Sequence, residues 1–128
     1  MTILRATLVG MRNGCRSFRA SQIREIENHL KAMREAAPET FRKAGMAYAV
    51  PYLDRLFDGV RDMVLDGKDE ARIDLVDTVA DDLAAETAAN IATSFACYAT
   101  DMGVRAEPAW RWHDRDRRSG VVALIARL

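Results

Sequence analysis

The sequence predicts a mainly α (α+β) fold: a bundle of three or four helices, one of them long and Ala-rich, with a small C-terminal β-hairpin. Three observations carry this. Apolar residues recur at steps of three and four through much of residues 22–102. Between Glu70 and Met102 there is neither proline nor glycine. Beyond Gly103 the pattern changes to alternating aromatic and β-branched residues around a polar turn.

The elements follow in chain order. Thr2 to Val9 is rich in β-branched residues and reads as a strand, while Leu4, Leu8 and Met11 also fit one helical face; Asn13-Gly14 closes either element. Ser21 suits a helix N-cap, and Ile23, Ile26, Leu30 and Met33 then mark one helical face over Gln22 to Ala37. Pro38 ends this helix or opens the next, and Pro51 breaks or kinks the chain. Leu53, Leu56, Phe57, Val60, Met63 and Val64 form an amphipathic stripe, closed by Asp66-Gly67 with Gly67 in a left-handed cap. Asp69 then caps a helix running from Glu70 to Met102, or two helices broken near Ala88-Ala89-Asn90, with Gly103 at its end. Residues 80–99 contain eight alanines, which lets a neighbouring element approach closely. Glu107-Pro108 reads as a loop, Trp110 to His113 and Val121 to Leu128 as the hairpin, and Asp114 to Gly120 as its turn. The expected core comprises Ile26, Leu30, Leu56, Phe57, Val60, Val76, Leu83, Ile91, Phe95 and Tyr98. Each large side chain contributes roughly 1.5–3 kcal/mol when buried.

With 128 residues the chain suits a single domain, 1–128. No apolar run approaches the roughly 20 residues of a membrane span, and the first residues lack a signal-peptide pattern, so the expected location is cytoplasmic. Cys15 and Cys97 make no disulfide framework or C-x-x-C pair; Cys97, among small and aromatic residues, is expected to be buried.

Charge is the most informative feature. The 19 basic and 19 acidic residues cancel, yet they are segregated. Residues 1–44 hold 9 basic and 4 acidic groups (+5), residues 45–104 hold 4 and 12 (−8), and residues 105–128 hold 6 and 3 (+3). On the expected long helix, Glu70, Asp74, Asp77 and Asp81 fall within a stripe roughly 60° wide. Asp54, Asp58 and Asp62 make a similar row on the preceding helix. Like charges at that spacing repel by a few tenths of a kcal/mol each. Opposite charge must offset this, from the Arg-rich ends of the chain, a second subunit or a basic partner.

The charge layout points to a non-enzymatic protein-interaction module, a regulator or inhibitor of phage or mobile-element type. It would present Glu70, Asp74, Asp77, Asp81, Asp58 and Asp62 to a basic, nucleic-acid-binding protein. A solvated acidic face is the plain alternative. A second function class is nucleic-acid binding through Arg12, Arg16, Arg19, Arg115, Arg117 and Arg118. Trp110 and Trp112 are then candidate stacking platforms; they are also candidate apolar contacts for a homo-oligomer, alongside Tyr48. A structural subunit of a larger assembly, with the +5 and −8 blocks pairing between copies, is a third. A small metal-dependent enzyme is the fourth, built around His29 with Glu25 or around His113 with Asp114 and Asp116. No metal-ligand spacing, phosphate loop or nucleophile elbow accompanies either histidine, so the sequence assigns no cofactor, metal or catalytic residue.

Overall fold

The computed structural model describes the backbone of residues 20–127 and the side chains of residues 23–127. The strand expected over Thr2–Val9 lies outside them, as do Cys15 and the candidate residues Arg12, Arg16 and Arg19. Within them the chain is mixed α+β: three helices and a three-stranded antiparallel sheet. Helix α1 spans Ala20–Lys43, a 3₁₀ turn covers Ala47–Tyr52, and α2 spans Leu53–Leu65. Strand β1 is Glu70–Asp77, α3 is Ala85–Met102, β2 is Arg105–Trp112 and β3 is Gly120–Arg127.

The spatial strand order is β1-β3-β2, with β3 antiparallel to both neighbours. Strands β1 and β2 therefore run parallel, α3 is the crossover between them, and β3 fills the gap. Direct pairing fixes the side-chain faces. Val76 and Trp110 flank Val122, Ile73 flanks Leu124, and Ala71 and Ala106 flank Ala126. That face packs on the helices; Ile73, Val76, Val122, Leu124 and Ala126 share one buried cluster with residues from all three helices. The opposite face carries most of the charge, and Arg127 there lies 3.5 Å from Glu70 of β1 and 3.4 Å from Glu107 of β2.

The amphipathic stripe of α2 is buried throughout, from Leu53 to Val64. Gly67 closes α2 with φ +68, and its N–H donates to Val64 O while that of Lys68 donates to Met63 O. The small residues Ala88, Ala92, Ala96 and Ala99 form the buried side of α3 with Ile91, Phe95 and Met102, which brings that helix close to the sheet. Of the ten expected core residues, eight are buried; Leu83 and Tyr98 are half-buried and pack against the core.

Four expectations need correction. Pro38 neither ends α1 nor opens another helix; it lies inside it. A helix-interior proline costs about 3 kcal/mol, but the apolar stripe runs through Ala37 just before it and on to Phe41 beyond it. Both are buried, and the Phe41 ring meets Phe95 and Tyr98 at 5.3 and 5.5 Å.

The long helix over Glu70–Met102 does not form. Its first eight residues are β1, its middle is a turn, and the Ala-rich helix begins only at Ala85. A β-bulge explains the helix-like spacing. The pairing shifts between Asp74 and Val76, leaving Leu75 as the extra residue. Buried positions consequently fall at 73, 75 and 76, and the Ile73–Val76 step of three imitates a helical face.

Glu107 and Pro108 are part of β2. Pro108 is tolerated because β2 is an edge strand of the described sheet. Cys97 is exposed, off the buried side of α3. Among the described residues, no helix is long and apolar enough to cross a membrane.

Candidate functional site

The bulge creates the first polar cluster. Arg55 of α2 donates from Nη1 to the Leu75 carbonyl (2.7 Å), the group displaced from the sheet register. The same guanidinium grips Asp81 bidentately, at 2.7 and 2.9 Å. Asp81 Oδ2 also accepts the Asp77 backbone N–H at 2.9 Å, which closes the turn leaving β1. Asp77 Oδ1 accepts from the Val79 and Ala80 N–H groups at 3.0 and 3.3 Å. His113 Nε2 approaches that oxygen at 3.6 Å. Thr78, the one buried polar residue among those described, joins this turn to the hairpin: its N–H donates to Gly120 O and its hydroxyl accepts from Gly120 N–H, both 3.0 Å.

The electrostatics follow from these bonds. The Arg55 guanidinium holds the Asp81 carboxyl below the usual carboxylate range, and Asp81 in turn raises Arg55. The N–H groups of Ala80 and Val79, helped by His113, lower Asp77 in the same way against a small opposing effect of burial. Both groups are held as carboxylates. They are acceptors that shape a turn, and neither is tuned as a proton donor near neutral pH.

The acidic helix face expected over Glu70, Asp74, Asp77 and Asp81 is not formed, because β1 and its exit turn hold these residues. Each meets positive charge or N–H donors from its own chain. Glu70 lies 3.5 Å from Arg127, Asp74 3.2 Å from Arg72, Asp77 beside His113 and Asp81 against Arg55. The Asp54, Asp58, Asp62 row does lie on α2, but α1 answers it: Arg34 pairs with Asp58 and lies 3.5 Å from Asp54. Asp62 lies 3.8 Å from Arg61, which bonds Glu27 of α1 at 2.9 Å. The repulsion implied by the sequence is offset inside the molecule.

The basic candidates present the opposite picture. Arg115, Arg117 and Arg118 sit exposed in the turn between β2 and β3, and Arg111 is exposed at the end of β2. None has an ion-pair partner among the described residues. Of the two carboxylates nearby, Asp114 is engaged in shaping the turn: its Oδ1 accepts from Arg118 N–H at 2.9 Å and Ser119 N–H at 3.4 Å. Arg117 adopts φ +55, a left-handed conformation that glycine or asparagine occupies more cheaply.

Trp110 and Trp112 stack on each other, with ring centroids 4.1 Å apart and planes within 3°. Both are half-buried, and Trp110 packs against the core. A Cβ at Gly120 would meet Arg111 O at 2.7 Å and the Trp112 ring at 3.1 Å, so only glycine lets the indole lie there.

The remaining histidine, His29, lies 3.8 Å from Glu25 one turn away on α1. Among the described residues no group of three His, Cys, Asp or Glu side chains can hold a metal ion. The sequence reading missed Arg55 as the organiser of the bulge. Its only sequence signal was a cation next to Asp54 on the polar side of α2, which does not reveal a partner 26 residues away. No family model, curated protein or solved structure matches the chain.

Proposed function

We propose that the chain is a non-enzymatic binding module that meets its partner through the β2–β3 end of the sheet, residues 111–118. The observation that carries this is the contrast in charge pairing. Six candidate carboxylates are each met inside the fold, whereas Arg111, Arg115, Arg117 and Arg118 are exposed without an ion-pair partner among the described residues. Ion pairs already made within a fold have little left to offer an outside surface. Exposed arginines retain five donors each for a partner's acceptors. The left-handed Arg117 supports the same reading, since strain kept for a long cationic side chain at an exposed turn marks that side chain as used.

The test is capture from lysate of the native host with tagged protein, comparing wild type with Arg115→Ala, Arg117→Asn, Arg118→Ala and with Asp58→Asn, Asp62→Asn. Asparagine at position 117 tolerates the left-handed backbone, and unchanged thermal melting verifies the fold. Loss of the captured partner with the arginine variant alone is the expected result. A partner retained by that variant and lost with the aspartate variant overturns the proposal.

A further inference from the structure

Building on the binding surface proposed above, we infer that its partner is nucleic acid, held by its phosphate backbone at the hairpin turn. Three features narrow the partner. The turn from His113 to Ser119 carries no apolar side chain, and the adjacent tryptophans are stacked on each other and half-buried. Protein interfaces combine arginine with buried aromatic and aliphatic anchors, and this turn offers only the arginines. Phosphate-backbone binding needs none; it proceeds by counterion release and depends on the number of cations placed along the strand.

The cations are also all arginines, whose planar fork matches a phosphate with two parallel hydrogen bonds. Finally, the turn is held in shape from behind. Asp114 fastens it internally, His113 N–H donates to Ser119 O at 2.9 Å, and Thr78 ties Gly120 to the β1 exit turn. The arginines are thus displayed from a fixed frame, so less ordering is lost on contact.

Four arginines on four phosphates give a slope of log K against log salt of about −3.6 for duplex DNA, hence about 150-fold weaker binding on going from about 50 to about 200 mM salt. Removing Arg115, Arg117 and Arg118 leaves one contact and about a 3.5-fold change over the same range.

The experiment is fluorescence anisotropy of the full chain with labelled short duplex DNA and, separately, labelled single-stranded RNA, with poly-glutamate as competitor. The proteins compared are wild type, Arg115→Ala, Arg117→Asn, Arg118→Ala, and the three corresponding lysine replacements. Expected are binding to at least one nucleic acid with the steep salt slope, its collapse in the neutral variant, partial recovery with lysine, and weaker displacement by poly-glutamate than by unlabelled nucleic acid at equal charge. Absence of binding to both probes overturns the inference, as does a slope unchanged in the neutral variant or displacement by poly-glutamate as efficient as by unlabelled nucleic acid at equal charge.

A nuclease-treated lysate capture separates this failure from failure of the binding-surface reading. A partner that survives nuclease and still requires the three arginines leaves the surface standing and removes nucleic acid as its ligand. A lysate in which nothing depends on those arginines removes both.

Discussion

Gly59 offers the sharpest test of the fold, because two readings of the chain give opposite signs. A glycine inside an exposed stretch of helix is destabilising, and Gly→Ala there raises stability by about 1 kcal/mol. In the structure Gly59 of α2 faces Ile73 of β1. A Cβ built there would lie 2.4 Å from Ile73 Cγ2, 2.7 Å from Cγ1 and 3.0 Å from Cδ1. Ile73 is 3% exposed and β-branched, so it cannot swing away. Overpacking of this kind costs about 1–3 kcal/mol. The upper end applies with two contacts under 3.0 Å, and the helical gain offsets about 1, so Gly59→Ala should destabilise by about 2 kcal/mol. Ile73→Ala alone should cost about 2–5 kcal/mol. It also removes all three obstructing carbons and leaves only the helical gain, so the double variant should be more stable than the sum of the singles by about 3 kcal/mol. Urea unfolding of the four proteins measures this directly. A stabilised Gly59→Ala protein, or simple additivity with Ile73→Ala, would refute the placement of β1 against α2.

Three further outcomes are expected. Asp81→Asn should cost about 1 kcal/mol at neutral pH, the worth of a charge-assisted pair screened at a surface turn. Because Arg55 depresses the folded-state pKa of Asp81, that contribution is full above the unfolded carboxyl value of about 3.9 and is lost as pH falls through the lower folded value; urea melts at neutral and strongly acidic pH check whether the difference from wild type shrinks. Pro38→Ala should stabilise the protein by about 2 kcal/mol, the roughly 3 of helix disruption less up to about 1 of unfolded-chain entropy, with a loss of stability excluding a continuous α1. Gly120→Ala should destabilise and alter tryptophan emission, since its Cβ would meet Arg111 O and the Trp112 ring; an unchanged spectrum and melting curve would exclude the stacked arrangement.

Where the apolar period was unbroken, the sequence and the structure agree. The α2 stripe and its Gly67 cap are strictly local, set by spacing and by a backbone conformation that glycine adopts freely. The buried faces of α1 and α3 were legible for the same reason. Residues 70–84 were not, because three different objects abut there without punctuation: a bulged strand, an Asp-rich turn and a helix whose N-cap, Ala84, has no side-chain hydrogen bond. A signal for β1 was nonetheless present in Ala71, Ile73 and Leu75 alternating with Arg72 and Asp74, a clean period of two over five residues. Extending the helical period through Val76 and Ala80 overrode it. Among the candidate carboxylates, Asp74 and Asp62 have cations beside them in sequence, but the others have partners in remote segments: Arg127 for Glu70, His113 for Asp77, Arg55 for Asp81, Arg34 for Asp58. Such pairings are tertiary facts that one-dimensional spacing does not contain.

The consequence reaches how a working surface is sought in a chain of this kind. A charge-segregated sequence invites neutralisation of its densest acidic stretch, here Asp74, Asp77 and Asp81. Two of those three maintain the β1 exit turn, and Asp81 anchors the guanidinium that satisfies the bulge carbonyl. A triple Asn variant therefore weakens the same turn that Thr78 fastens to the hairpin. It would disturb the arginine-bearing end without either surface having touched a partner, and binding lost in that variant would be wrongly credited to the acids. Asp58 and Asp62 are the sounder acidic controls, since both are exposed and lie on α2, away from that turn. Charge that is matched within the fold reports on folding; charge left unmatched at a rigid, exposed turn is where function is to be looked for.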